Sequence, residues 1–367
     1  MAITLITVSV VSLAGYITLN LPPFGAAARG KRLKKIKASK NFKNGKFENE
    51  EHTEMMAGDA SYTGMIKKMF EKDPKRQPSK PLPTGIFNFE QPRTTDEFKI
   101  TWFGHSSYLL QVAGKNILVD PVFSERTSPF QFIGTRRFDG TDIISVKDLP
   151  KIDLLLLTHD HYDHLDFEVM KQLSKQVKQV ITPLGVSAHL ERWGFDENSI
   201  TELDWWESID VFEQFKITST TARHFSGRGL SNRQSTLWSS YIFESQNHKL
   251  FLGGDSGYGN HFKKIGEQYG PFDLTILECG QYNEWWPQIH MFPEQVVQAH
   301  LDLKGRVLMP VHWGKYVLAY HPWNEPIDRL HKAATQCQIS LATPKIGETM
   351  SSKNMISETW WREIVTS

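Results

Sequence analysis

The residues best suited to chemistry lie in the stretch LLLLTHDHYDHLD, which runs from Leu154 to Asp166. Four leucines lead directly into imidazole and carboxylate side chains at alternate and adjacent positions, namely His159, His161, Asp163 and His164. Bringing such groups together costs desolvation and mutual repulsion unless something positive binds among them. Zinc favours imidazole and carboxylate ligands, and a catalytic zinc site leaves one coordination position open for water. The stretch therefore indicates a metal site.

This cluster supplies at most half of the ligands of a two-metal site, so further ligands should lie at the ends of later strands. Three apolar, β-rich runs end in a suitable residue: KITSTTARH in His224, KLFLGGD in Asp255 and VLMPVH in His312. The chain between them is long enough for strand pairs and helices. These three residues are the candidates for the missing ligands.

The elements that must position these residues follow a repeated pattern from about Phe98 onward. Short β-rich runs are separated by turn residues, and their sequences are FKITWFG, SYLLQV, NILVDP, KIDLLLLT, QVITP, FKITSTTARH, TLWSSYIFE, HKLFLGGD, FDLTILEC and RVLMPVHWG. Helical patterns follow some of them, at Phe167–Val177, Phe262–Tyr269 and Pro293–Leu301. Strands and helices mixed in two similar halves predict an α/β protein with two sheets and helices on their outer faces.

The metal cluster and several segments outside it resemble the metallo-β-lactamase superfamily, and within it the N-acylphosphatidylethanolamine-hydrolysing phospholipase D branch. The supporting segments are TWFGHSSYLL, LVDPVFSERTSPFQFIGTRRF, ELDWWES, GGDSGY, GPFDL, PEQVVQAH and VHWG. The resemblance covers roughly Pro83 to Gly347. It implies the four-layer αββα fold, in which two mixed sheets are sandwiched by helices.

The same resemblance implies roles for individual residues and a cofactor of two zinc ions per chain. It assigns the first zinc to His159, His161 and His224, the second zinc to Asp163, His164 and His312, and the bridging position to Asp255. Asp163 and Asp255 are also expected to be catalytic, and Tyr162 could point its hydroxyl at the substrate. His290 matches a family position near the active site, although packing or a surface role would also explain it. Iron or manganese can occupy such sites too.

The function that the resemblance implies is that of a zinc-dependent hydrolase of phospholipase D type. It would cleave N-acylphosphatidylethanolamine-like phospholipids to phosphatidic acid and an N-acylethanolamine, with a metal-bound hydroxide as the nucleophile. Two alternatives stay open: a dinuclear zinc lactonase or other hydrolase of the same fold acting on a soluble substrate, and a non-catalytic membrane-anchored scaffold. The sequence contains no Gly-x-Ser-x-Gly elbow, so no serine nucleophile is indicated.

The N-terminal region differs in composition from the rest. Residues 1–28 carry no charge, and residues 29–46 carry nine of the 42 Lys and Arg and no acidic residue. A run of about twenty apolar residues can span a bilayer, and positive charge after it favours a cytoplasmic body. We therefore predict a membrane anchor at 1–28, with a cleaved signal peptide or a buried or interfacial helix as alternatives. A basic, polar connector follows at 29–82, with a helical piece around Ala60 to Glu71, and the hydrolase domain occupies 83–367.

The charge balance bears on the partners. Outside residues 29–46 the chain has 33 basic and 41 acidic residues, a balance of −8. Nucleic-acid binding is dominated by phosphate neutralisation, so this acidic body is a poor nucleic-acid surface. The expected partners are a phospholipid substrate and a membrane surface. An oligomer is possible, but the sequence does not predict one.

Overall fold

Short apolar runs form the strands of two large sheets in the structure, a computed structural model that describes residues 15–58, 60–94, 96–229 and 232–365. The strands are β1 (Phe42–Lys43), β2 (Lys46–Phe47), β3 (Phe98–Trp102), β4 (Tyr108–Val112), β5 (Lys115–Val119), β6 (Leu154–Leu156), β7 (Val180–Pro183), β8 (Ile200–Leu203), β9 (Ser208–Val211), β10 (Phe215–Thr220), β11 (Ser240–Glu244), β12 (Lys249–Leu252), β13 (Phe272–Glu278), β14 (Gly305–Val311), β15 (Ser340–Leu341) and β16 (Thr349–Ser351). The α-helices are α1 (Gly30–Ala38), α2 (Tyr62–Phe70), α3 (Phe167–Leu173), α4 (Ser187–Arg192), α5 (His261–Gln268), α6 (Pro293–Asp302), α7 (Glu325–Gln336) and α8 (Arg362–Val365).

The two large sheets have seven strands each and the same internal plan. The first has the order β16-β3-β4-β5-β6-β7-β8, and the second has the order β15-β14-β13-β12-β11-β10-β9. In the first sheet, β16 to β5 pair antiparallel and β5 to β8 pair parallel. In the second, β9 to β12 pair antiparallel and β12 to β15 pair parallel. Both sheets are therefore mixed, as the sequence predicted.

The largest hydrophobic core lies between the two sheets. Alternate side chains of a strand point to opposite faces, so Leu110 and Ile117 of the first sheet pack into this core with Ile217 and Phe243 of the second. The neighbouring residue Leu109 points to the opposite face. There a second core forms with side chains from the covering helices α3 and α4, which include Val169, Met170, Leu173 and Leu190. The outer face of the second sheet is covered by α5, α6 and α7.

The metallo-β-lactamase architecture predicted from the resemblance is thus confirmed. Every strand predicted from an apolar run is present, although the strands are shorter than the runs. The predicted helices are also present, with α3 ending at Leu173 instead of Val177 and the helical piece near Ala60 forming α2. The helices α1, α4, α7 and α8, the short strands β1 and β2, and the outer strands β8, β9, β15 and β16 were not predicted.

The predicted membrane-anchored localisation is contradicted. Among the described residues no helix combines the length and the apolar character needed to cross a membrane. Residues 1–14 of the predicted anchor lie outside the described residues. Its C-terminal part binds the body instead: Trp193 Nε1 donates to the carbonyl of Pro22, and Arg192 donates to the carbonyls of Asn20 and Gly25.

The basic segment after it also contacts the body. In α1, Ile36 is buried, Arg32 lies 3.0 Å from Glu191 and 3.6 Å from Glu202, and Lys35 pairs with Glu207 at 3.1 Å. These acidic partners belong to the body that the charge count described as acidic. The predicted division of the chain at residues 28 and 82 stays a prediction.

Candidate metal centre

The candidate site lies where several strands of both sheets end. His159 follows β6, His224 follows β10, Asp255 follows β12, and His312 comes directly after β14. In open sheets, the crevice outside the carboxyl ends of parallel strands is the usual place for ligands. The structure brings together all seven predicted ligands there, although they span more than 150 positions of the sequence.

One group contains the histidines that the resemblance assigns to a first ion. His161 Nδ1 lies 3.0 Å from His159 Nε2 and 3.2 Å from His224 Nε2. The three nitrogens fall within reach of one ion. Asp255 Oδ2 lies 3.8 Å from the Nε2 atoms of both His159 and His224.

The second group lies on the other side of Asp255. Its Oδ1 atom is 3.2 Å from His164 Nε2 and 3.2 Å from His312 Nδ1. Asp163 Oδ2 is 3.6 Å from His164 Nε2. One oxygen of Asp255 thus faces each group of histidines, which is the arrangement of a carboxylate that bridges two ions.

The chemistry of this donor set fits metal ions. His164 Nε2 and Asp255 Oδ1 are buried and lie 3.2 Å apart, yet neither makes a hydrogen bond of acceptable geometry. Buried polar atoms without partners are rare, and one accepted explanation is an ion at that position. The described residues therefore contain a His/Asp cluster able to bind metal.

The electrostatics of the cluster agree with this. Burial lowers the pKa of His159, His224 and His312 well below the ordinary value, so these imidazoles are neutral and can act as ligands. Burial raises the pKa of Asp255, but the positive charge of His164 outweighs it and holds the pKa well below the ordinary value. Ionised carboxylates in a buried site require positive charge beside them.

A layer of hydrogen bonds orients the ligands. Asp120, which follows β5, accepts from His164 Nδ1 through its Oδ2 at 2.8 Å. His224 Nδ1 donates to the carbonyl of Ile289 at 2.9 Å. Such partners fix the ring orientation and the tautomer of a ligating histidine.

The backbone at the site is strained. His105, Asp120 and His312 have φ angles of 53°, 40° and 66°, in the left-handed region that non-glycine residues rarely adopt. Each such residue costs roughly 1–3 kcal/mol, and such strain clusters at functional sites. His105 Nε2 lies 2.9 Å from Asp163 Oδ2, so this strained residue orients a predicted ligand.

The two remaining predicted residues lie in different places. His290 lines the cavity beside the cluster, and its Nδ1 lies 3.2 Å from Glu278 Oε2. Tyr162 does not line this cavity. Its hydroxyl donates to the carbonyl of Arg228 at 2.7 Å, and its ring lies under the Arg228 guanidinium. The catalytic role assigned to Tyr162 stays a prediction.

The cavity over the cluster has a volume of about 540 Å³. One side consists of the polar residues of the cluster, and the rest is largely apolar, with Met55, Met56, Met65, Phe225, Trp286, Ile289 and Leu318. Arg233 also lines it, with its guanidinium 5.0 Å from the ring centre of Phe225.

The sequence did not reveal several of these residues. His105 is a lone histidine before two serines, a pattern that ordinary hydrogen bonding explains. Glu278, the last residue of β13, follows the same strand-end pattern as the predicted ligands and could have been found by it. Met55, Met65 and Arg233 come from segments with no motif.

Comparison with known proteins agrees with the fold and the cluster. The family model of the beta-lactamase superfamily domain matches residues 115–313. An uncharacterized protein of Mycobacterium tuberculosis is 39% identical over 330 residues, 88% of each chain. The N-acyl-phosphatidylethanolamine-hydrolyzing phospholipase D 1 of Caenorhabditis elegans is 34% identical over 242 residues, 63% of this chain and 68% of that one.

Among solved structures, Igni18, a metallo hydrolase from Ignicoccus hospitalis, superimposes with a TM-score of 0.54 at 20% identity, over 70% of this chain and 98% of that one. At this identity the likeness shows the fold alone. We conclude that the chain is a metal-dependent hydrolase. The matched family, the metal-dependent hydrolases among its relatives and the His/Asp cluster all support this. The chain belongs to the beta-lactamase superfamily.

Proposed function

We propose that the chain is a zinc-dependent phosphodiester hydrolase of phospholipase D type, which cleaves N-acylphosphatidylethanolamine-like lipids to phosphatidic acid and an N-acylethanolamine. The observation that carries the proposal is the cavity, which joins a metal-binding cluster to an apolar wall. A lipid phosphodiester has the same two parts, a charged group to be cleaved and apolar chains beside it. The similarity to the phospholipase D of Caenorhabditis elegans supports the same reaction.

The residues that would hold the metal follow from the two groups around Asp255. His159, His161 and His224 would hold one zinc ion, and the remaining ligands would hold a second one, with Asp255 shared. Two such ions activate a water molecule and stabilise the attacking and leaving oxygens of a phosphodiester.

The protein side chains supply orientation and charge. Asp163 lines the cavity, and its Oδ2 lies 2.9 Å from His105 Nε2, which supports a role for its carboxylate in orienting the attacking water. Arg233 is the one lysine or arginine among the described residues of the cavity wall. An arginine there can pair with the phosphate of the substrate through charge-assisted hydrogen bonds.

The apolar wall would receive an acyl chain. Met55, Met65 and Trp286 contribute to it, and Trp286 is only 8% exposed. Methionine side chains are flexible and adapt to ligands of different shape. The wall therefore fits chains of more than one length.

The test is product analysis by mass spectrometry after incubation with N-acylphosphatidylethanolamine in mixed micelles. We expect phosphatidic acid and N-acylethanolamine from the wild-type protein, and neither product after chelation or in Asp255→Asn. The control variant Asp273→Asn removes a carboxylate that pairs with Arg306 at the surface, and should keep the activity. A protein that contains about two metal ions per chain yet releases no phosphatidic acid would refute this substrate, and lactones would be tested next.

A further inference from the structure

The short segment Pro22–Ala26, here called the N-terminal strap, lies against the loop that carries the metal cluster. Its backbone makes specific hydrogen bonds. Arg228 donates to the carbonyl of Pro23 through Nε at 3.0 Å and Nη2 at 2.9 Å. The N–H of Ala26 donates to His189 Nδ1 at 2.8 Å. The strap is therefore held by side chains from distant parts of the sequence, which also include Trp193 at Pro22 and Arg192 at Gly25.

His189 connects the strap to the metal loop. Because its Nδ1 accepts the Ala26 N–H, the ring proton must be on Nε2. That atom lies 3.2 Å from Asp160 Oδ2, so His189 donates to Asp160. The carboxylate of Asp160 also accepts from Gly227 N at 2.7 Å and from Thr236 Oγ1 at 2.9 Å. Asp160 lies in the chain between two proposed ligands, His159 and His161.

Arg228 makes a second connection. It is buried, with 2% of its surface exposed, and its Nη1 donates to the carbonyls of Asp160 and Leu165 at 2.7 and 2.8 Å. These two carbonyls flank the segment that contains His161 to His164. A buried guanidinium is tolerated when its donors are all paired. The strap supplies the acceptor for Nε and Nη2, and the metal loop supplies the acceptors for Nη1.

We propose that the N-terminal strap is a positioning element of the metal centre, which acts through His189, Asp160 and Arg228 on the loop that carries His159 and His161. The three side chains are positioning residues, since none of them lines the cavity. The inference rests on the proposed metal ligation, but not on the proposed substrate.

The expected effect is on metal affinity. Without the strap, His189 loses the partner that fixes its tautomer, and Arg228 keeps two unpaired buried donors. Asp160 and the adjacent ligands then lose their fixed orientation. Loss of such a supporting partner typically weakens metal binding about 10- to 100-fold. The value of kcat should fall with it.

Gly25 offers a sharp perturbation in the full-length chain. Its φ is +76°, and a Cβ added there would overlap the imidazole of His189. Gly25→Ala should therefore displace the ring or lift the strap. Gly45→Ala is the matched control, because Gly45 has a similar φ of +81° and a Cβ added there would meet no atom within 4 Å.

The measurement is zinc affinity of the metal-free protein, by competition with a chromophoric chelator, together with the absorption spectrum of the cobalt-loaded protein. We expect Gly25→Ala to lower the zinc affinity of one of the two sites at least tenfold and to change the cobalt spectrum. Gly45→Ala should do neither. In a His189→Ala background, Gly25→Ala should cost little further affinity, because both act through the same contact.

Three results would overturn the inference. One is wild-type zinc affinity in a folded Gly25→Ala protein, and another is a fully additive effect of Gly25→Ala and His189→Ala. If Gly25→Ala does not fold, Arg228→Lys serves instead, since an ammonium has three donors and cannot replace the four hydrogen bonds of the guanidinium. Unchanged zinc affinity in Arg228→Lys would be the third result. A wild-type protein that binds no zinc would refute the ligation itself. The readout needs no substrate, so a wrong substrate assignment leaves the test intact.

Discussion

Asp120→Asn should weaken metal binding, although Asp120 is not one of the proposed ligands. Asp120 is 1% exposed, and its carboxylate accepts from His164 Nδ1 at 2.8 Å and from Thr158 N and Oγ1 at 2.9 and 2.5 Å. All three donors face oxygen atoms. An asparagine of the same shape has only one oxygen, so its amide group must face one of these donors.

The consequence follows from the tautomer of His164. If the asparagine oxygen serves Thr158 N, its amide faces His164 Nδ1, which must then accept a hydrogen bond. The ring proton moves to Nε2, the atom that lies 3.2 Å from Asp255 and is proposed to bind the metal. Loss of the orienting carboxylate should weaken the second zinc site about 10- to 100-fold, equivalent to about 1.4–2.7 kcal/mol.

The assay is a zinc titration of the metal-free variant against a chelator, with thermal unfolding to confirm the fold. We expect one zinc to bind with nearly wild-type affinity and the second to bind more weakly. Asp148→Asn is the control, since Asp148 is exposed and bonds only to Ser145. Two zinc ions bound to Asp120→Asn with wild-type affinity would show that the Asp120 contact does not set the tautomer of His164.

Three other predictions test the cavity and the fold. Arg233→Ala should raise KM for an anionic phosphodiester about tenfold with little change in kcat, as measured by steady-state kinetics, and a neutral ester should show no such change. Met65→Gln should raise KM more for long-chain than for short-chain substrates, with a loss of binding free energy of up to about 0.8 kcal/mol for each methylene that loses its contact. Equal changes in KM for both substrates would refute the role of the apolar wall. Burial lowers the pKa of Lys315 to about 7 from the ordinary 10.5. Between these pH values the unfolded chain binds more protons than the folded chain, so the free energy of unfolding should rise with pH. Urea unfolding should show this rise as about 2 kcal/mol between about pH 7.5 and 9.5, and Lys315→Met should abolish it.

The ligand positions could be predicted because they depend on a local pattern. An apolar run predicts a strand, and a histidine or aspartate at its end lies at the edge where parallel strands finish. His224, Asp255 and His312 each satisfied this pattern, and the structure brings them to the cluster around His159. The burial of both faces of each sheet also follows from the continuous apolar runs.

The remaining features depend on contacts between distant residues. His105 touches Asp163, 58 positions away, and its left-handed backbone leaves no mark in the sequence. The basic residues of α1 look like a solvated segment, but Arg32 finds Glu191 and Glu202 on the folded body. The apolar run near the N-terminus suggested a membrane span, whereas the backbone carbonyls of Asn20, Pro22 and Gly25 in its described part bond to the body. Backbone groups make most of the contacts of the strap, and every residue type has these groups.

The two halves of the fold contribute unequal but complementary parts to the centre. The first sheet supplies the loop from His159 to His164, whereas the second supplies His224, Asp255 and His312 from the ends of three separate strands. Asp255 faces histidines of both halves, so ions bound there would join the two sheets. A loop carrying four ligands moves as a unit more easily than ligands on separate strands, and the first half therefore needs additional support. Asp120 and Arg228 contact that loop or its flanks, and the N-terminal strap bonds to Arg228 and His189, the side chains that connect it to the loop.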